Sequence, residues 1–331
     1  MCAGADSWLT ARATLLLALV GCDATGNPTG GATGTRPAEA QDRDAGPQTL
    51  QTAQGREARA STLGRSDGSR AGGTNAARRS PGSNPTKRCP PDTARVSDFC
   101  IDRYEAHLVV VGPDGRETAH TPYERPLGGV RYAARAAAGM VPQAYISRPE
   151  AEAACANAGK RLCTLAEWYL ACSGPEKLTY PYGNTSRPGV CNTGKPHLLA
   201  RLFGKEPSRW SYADHFNSPR LNQQPGFLAA TGAHAQCVSS YGVYDLVGNL
   251  HEWVSDRVDA ALPQKIALQE DIRAKIPDNR GHGIFMGGFY STTDEHGPGC
   301  RFVTIGHGPR YHDYSTGFRC CAEPHTAPKR P

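Results

Sequence analysis

The stretch Ala151–Asn184, AEAACANAGKRLCTLAEWYLACSGPEKLTYPYGN, decides how the rest of the chain is read. Just ahead of it stands Ser147, with Glu150 three residues on; inside it Thr164 is followed at the same spacing by Glu167. In such a pair the hydroxyl oxygen accepts an orphan amide of the first helical turn and the carboxylate reaches back to the cap amide, so two short helices are predicted. Gly159 suits the end of the first. The second carries Trp168 and Leu170 toward a core and Cys172 near its end. Upstream, Phe99–Glu105 leads into Leu108-Val109-Val110-Val111, a predicted strand ended by Pro113-Asp114-Gly115. Downstream of Asn184 the chain is dense in Gly, Pro, Asn and short apolar runs, which predicts loops and short strands rather than long periodic elements. It contains no internal repeat.

Working outward, the folded domain spans 89–322, from Cys89-Pro90-Pro91 to just past Cys321, and 323–331 is a Pro- and Lys-rich tail. Residues 23–88 are rich in Gly, Ala, Ser, Thr, Pro and Arg and nearly empty of large apolar side chains. Such a stretch buries too little surface to offset the entropy of ordering and reads as a disordered tether. It holds ten Lys or Arg against six Asp or Glu, which is +4 of the chain's +6, so the domain is nearly neutral. A nucleic-acid partner is not expected, since no recognised motif or basic cluster stands out. In 1–22 the apolar run Ala13–Val20 is too short to span a bilayer and reads as a signal-peptide core. It ends in Leu19-Val20-Gly21-Cys22, which resembles a bacterial lipobox with Cys22 as the lipidated residue; an ordinary cleaved signal is the alternative, and Arg12 is the only cation ahead of the run. Either way the protein is expected to be exported, and by the first reading it is lipid-anchored in the cell envelope, in the periplasm or on the outer surface.

Of twelve cysteines, setting aside Cys2 and Cys22 leaves ten between Cys89 and Cys321. An even set in an oxidising compartment reads as five disulfides. Zinc is the competing reading, but there is no Cys-x-x-Cys pair and Cys320 and Cys321 are adjacent. Cys89 and Cys100 most simply pair with each other.

Three ordered signatures resemble the sulfatase-modifying factor, or formylglycine-generating enzyme, family. The first is Ala151–Asn184; the second is Tyr241–Asp256, YGVYDLVGNLHEWVSD; the third is split between Met286-Gly287-Gly288-Phe289-Tyr290 and Thr316-Gly317-Phe318-Arg319-Cys320. The resemblance implies an α+β fold with little regular secondary structure, related to C-type lectins and rich in disulfides. It maps two family disulfides onto Cys155 with Cys320 and Cys172 with Cys300. The remaining cysteines suggest Cys191 with Cys237 and Cys163 with Cys321, although Cys320 and Cys321 could exchange partners on paper.

Family enzymes oxidise a substrate cysteine to formylglycine with copper held by two cysteines just after the Gly-Gly-Ser-Tyr block. Alignment on the glycines puts Thr292 and Gly297 at those positions, while Cys300 belongs to the structural disulfide, so no thiolate is left for a soft metal. Copper or iron is therefore not expected, and formylglycine-generating activity is expected to be absent. A three-histidine site among His282, His296, His307 and His312 is the weaker metal reading. Calcium is expected instead, as the resemblance implies, on the side chains of Asp245 and Glu252 and the carbonyls of Gly248 and Leu250, with a second ion at Asn192 and the Thr193 carbonyl. His251, Phe289 and Met286 stand where the family has tryptophan, serine and arginine, and all three are expected in or beside a C-terminal groove. The groove candidates are Phe289, Thr292, His251, His296 and Arg319. These readings combine into an envelope scaffold that binds a small ligand, glycan or protein; the alternatives are an oxidative enzyme of the same family and a purely structural component.

Overall fold

Both capping boxes form. At the first, the Ser147 amide and hydroxyl donate to Glu150 Oε2 at 2.9 and 2.6 Å, opening α1 (Arg148–Asn157). At the second, the Glu167 amide donates to Thr164 Oγ1 at 3.2 Å and the Thr164 amide to Glu167 Oε2 at 2.8 Å, opening α2 (Leu165–Ser173). The computed structural model describes residues 87–293 and 296–326. The expected signal peptide, Cys22 and the tether as far as Thr86 lie outside the described residues.

Ahead of α1 run β1 (Lys87–Arg88), β2 (Thr93–Val96), β3 (Phe99–Asp102), β4 (His107–Val111), β5 (Glu117–Ala119) and β6 (Tyr132–Arg135). After it come β7 (Arg161–Leu162), α2, α3 (Leu198–Phe203), β8 (His251–Arg257), α4 (Leu262–Lys265) and α5 (Glu270–Ala274). The chain closes with β9 (Gly283–Met286), β10 (Val303–Thr304), β11 (Thr316–Phe318), β12 (Cys320–Ala322) and β13 (His325–Thr326). The strands form small sheets in the orders β10-β9-β8-β11, β2-β3-β12-β7 and β5-β4-β6, so the architecture is α+β with short elements. A two-stranded pairing of β1 with β13 extends the expected domain at both ends: Arg88 faces His325, beyond the boundary drawn at 322. No helix among the described residues is long and apolar enough to cross a membrane.

Among the described residues five disulfides join Cys89–Cys100, Cys155–Cys320, Cys163–Cys321, Cys172–Cys300 and Cys191–Cys237. The adjacent pair is resolved by strand geometry. Successive residues on β12 point to opposite faces, so Cys321 enters the core built on Trp168, Ile101 and Val254, while Cys320 enters the one built on Trp253, Phe285 and Phe318. A third core is aromatic, with Tyr145, Trp210, Tyr290 and Tyr314. Trp168 is fully buried as expected, and Leu170, half-buried, packs against the same core beside the fully buried Ala171.

Candidate functional site

The segment 241–256 turns sharply before it enters β8. Asp245, Gly248 and Asn249 all have positive φ, of 58°, 81° and 62°. At Gly248 a Cβ would stand 2.2 Å from the Asn192 carbonyl oxygen, so glycine is demanded by space as well as by φ. That close approach lets the Asn249 amide donate to Asn192 O at 2.9 Å and the Gly248 amide to Gly287 O at 2.9 Å, tying the turn to both neighbouring loops.

Parallel pairing of β11 with β8 sets Gly317 opposite Glu252, and the residue after the strand, Arg319, reaches back to it. Arg319 Nε donates to Glu252 Oε2 at 2.6 Å and Nη2 to Oε1 at 2.7 Å; Trp168 Nε1 adds a bond to Oε2 at 2.7 Å. Arg319 also donates to the Asp102 and Tyr244 carbonyls and has no exposed surface. It is therefore a core residue and not, as expected, a groove residue: its guanidinium neutralises the buried Glu252, a role that fixes it inside. Met286 is corrected in the same way, since β9 carries it into the main core.

Sequence reasoning missed Glu105. It is fully buried, with Oε2 accepting from Asn249 Nδ2 at 2.5 Å and Oε1 from the Leu250 amide at 3.1 Å. Burial first, then the charges of Asp245 and Glu252, push its carboxyl well above the ordinary range. Burial likewise raises Asp245 to about 6, although its Oδ2 accepts the Gly232 amide at 2.7 Å. Three buried carboxylates thus share one neighbourhood with one buried arginine. Nearby, Asn192 donates from Nδ2 to Phe227 O and Asn249 Oδ1, while its own Oδ1 is buried without a protein partner. Thr193, beside it, is half-buried. The only local hint of Glu105 in the sequence was its place in the Phe99–Glu105 run.

The loop that follows Gly287-Gly288 holds the other expected residues. Thr292 is buried, its hydroxyl accepting the Phe289 amide at 2.8 Å and its carbonyl accepting the Gly194 amide at 2.8 Å. Lys195 N bonds Tyr290 O at 2.9 Å, so the 192–195 segment lies zipped along this loop. Gly297 is buried at φ 110°, and a Cβ there would meet the Arg301 carbonyl oxygen at 2.6 Å. Cys300 is bonded to Cys172. Thr292 is thus sealed by backbone contacts rather than open in a groove; Phe289 and His296 are half-buried.

His251 is also buried. It lies among Phe285, Phe289 and Phe302, with ring centroids at 4.7, 5.1 and 5.5 Å. Phe302 separates it from His296, and Phe285 from His307, which stacks on Tyr311 at 3.9 Å. Burial, with His296 and His307 adding their charges, holds His251 well below the usual histidine range; burial and the neighbouring His282 and His296 bring His307 down to about 4. His312 is placed elsewhere, with Nδ1 2.7 Å from Asn217 Oδ1. Phenyl rings interleave these imidazoles, and among the described residues no three His, Cys, Asp or Glu side chains converge in a way that could hold a metal ion.

The mouse formylglycine-generating enzyme is 29% identical over 188 residues, which cover 55% of this chain and 44% of that protein. The chain thus spans less than half the length of that relative. A bovine relative described as an inactive Cα-formylglycine-generating enzyme 2 is 34% identical over 121 residues, or 36% of this chain and 34% of that one. Among solved structures, PvdO from Pseudomonas aeruginosa aligns over 68% of this chain and 80% of its own, at 17% identity and a TM-score of 0.35. The sulfatase-modifying factor enzyme 1-like domain matches residues 49–324, starting within the stretch read as a tether. With that match covering most of its 331 residues, the chain belongs to the sulfatase-modifying factor (formylglycine-generating enzyme) family.

Proposed function

We propose that this chain is a catalytically diverged family member, an exported scaffold lipid-anchored at Cys22 in a bacterial envelope, stabilised by calcium and binding a small ligand, glycan or protein. The loss of chemistry rests on one observation, the state of the loop from Gly287 to Cys300. The family's two thiolate positions fall on a buried, hydrogen-bonded threonine and on a glycine whose Cβ would collide with backbone. A hydroxyl stays protonated at neutral pH and binds soft metals poorly, and Cys300 is committed to Cys172. The likeness to relatives described as inactive supports the same reading.

Calcium would be held by the Asp245 carboxylate, the Gly248 and Leu250 carbonyls and the remaining acceptor capacity of Glu252. Burial and mutual repulsion raise the carboxyls of Glu105 and Asp245, so ionising them beside Glu252, with Arg319 the buried cation at hand, is unfavourable; a hard divalent cation would favour their charged forms and offset that cost. The partnerless Asn192 Oδ1 supports a second ion, with the Thr193 carbonyl. What calcium would supply is rigidity, holding the turn at 245–250 against its own charge.

The test incubates the copper-loaded protein with a Cys-x-Pro-x-Arg peptide under oxygen and looks by mass spectrometry for the aldehyde. No product above a copper-only blank is expected, with a genuine family enzyme as positive control. Turnover that disappears in Cys300→Ser would overturn the reading and identify the sulfur responsible.

A further inference from the structure

Residues 89–326 carry 24 Lys or Arg and 24 Asp or Glu, but the balance is not even along the chain. Between residues 195 and 220 stand Lys195, Arg201, Lys205, Arg209 and Arg220 against only Glu206 and Asp214. Lys195 is turned inward, its Nζ on the Gly226 and Phe227 carbonyls, whereas the other four cations are exposed. Arg209 has only a 3.7 Å contact with Glu206, both side chains largely in solvent, a pairing of little energetic weight. Asp214 is occupied with Ser211 in a local cap.

Apolar side chains interleave these cations. Leu202, Phe203 and Phe216 are half-buried, seated on the aromatic core through Leu198, Leu199 and Trp210. Phe203 meets the His215 ring edge-on at 4.7 Å and carries the Arg220 guanidinium 5.5 Å from its centroid. Arg201 lies 5.7 Å from the Phe227 centroid. Two guanidiniums thus lie over aromatic rings on residues that remain exposed, and exposed cations beside partly exposed apolar side chains suit a lipid headgroup layer.

We propose that the excursion 195–220 is a docking face for an anionic phospholipid bilayer. Arg201, Lys205, Arg209 and Arg220 would meet lipid phosphates, and Leu202, Phe203 and Phe216 the boundary beneath. A single-stranded nucleic acid fits less well, because base stacking needs free ring faces. Here Phe203 is engaged by Arg220 and His215, and Phe216 packs against Trp210. The face does not depend on lipidation of Cys22, and the test is built to keep the two apart.

The mature chain carrying Cys22→Ala is sedimented with phosphatidylcholine vesicles that contain none, or about one third, phosphatidylglycerol. Binding to the anionic vesicles alone is expected, falling away as added salt shortens the range of the charges. The variant R201Q/K205Q/R209Q should weaken partition by on the order of 100-fold at an unchanged thermal midpoint, since each cation near such a surface contributes about fivefold. Neutralising Arg36, Arg43, Arg56 and Arg59 should leave most of the binding intact. The proposal is overturned if the triple variant binds like its parent, if binding follows the tether arginines, if neither vesicle is bound, or if an oligonucleotide is bound more tightly than the vesicles.

Discussion

At Gly248 two constraints coincide, a φ of 81° and a Cβ position 2.2 Å from a backbone oxygen that cannot rotate away. We expect Gly248→Ala to lose about 3 kcal/mol in urea unfolding, because strain and collision add and the Asn192 segment must move. Arg319 is the second decisive residue. Arg319→Met leaves Glu252 buried without its cation, and we expect a loss of about 3 to 5 kcal/mol; adding Glu252→Leu should recover part of it, because the stranded charge is then removed as well. Recovery in the double variant is what separates an electrostatic penalty from simple loss of packing. Arg319 was visible in the sequence only as part of a Gly-Phe-Arg-Cys motif; nothing local said that it would point inward.

Helix α2 is capped twice. Besides the Thr164–Glu167 box, Asp256 Oδ2 accepts the Leu165 amide at 2.7 Å, from the far end of β8. Thr164→Ala is therefore expected to lose only about 1 kcal/mol, since one of the first-turn amides stays satisfied. In the loop after β10, His307 stacks between Phe285 and Tyr311. Its folded pKa, lowered to about 4 by burial and then by His282 and His296, lies below the unfolded value. The unfolded chain thus takes up the proton first: stability is unaffected above about pH 6.5 and falls as the pH drops from there toward 4, by up to about 3 kcal/mol. Urea midpoints at pH 7 and pH 5 for the parent and for His307→Phe would check this; the drop between the two pH values should be smaller in the variant.

Across the whole molecule, the short elements leave much of the stability to cross-links and, in our proposal, to calcium. The disulfides close spans of 11 to 165 residues, and each contributes about 2 to 4 kcal/mol where the native geometry is unstrained. Saturating calcium at about 100 times its dissociation constant would add about 2.7 kcal/mol. In a domain of this size that moves the thermal midpoint by roughly 5 to 10 °C. Chelation should lower the midpoint by that amount, and Asp245→Ala should abolish the calcium-dependent part. An unchanged midpoint and no bound calcium in the parent would remove the ion from the reading.

Features whose cause is local were legible in the sequence. A capping box acts over three residues, so both helices could be placed before any packing was known; the strand at 107–111 ended at its Pro-Asp-Gly turn; and three ordered signatures carried the family. What joins distant segments was not legible. Glu105 meets Asn249 across 144 residues and Arg319 meets Glu252 across 67, the second of them set up by β11 lying parallel to β8. The partners of Cys320 and Cys321 were interchangeable on paper, and only the alternation of side chains on a paired β12 separated them. Thr292 likewise looked like an open position until the 192–195 segment was seen lying along its loop. Hydrogen bonds within a turn are written in neighbouring residues; burial and long-range charge pairing are decided by which surfaces the folded chain brings together.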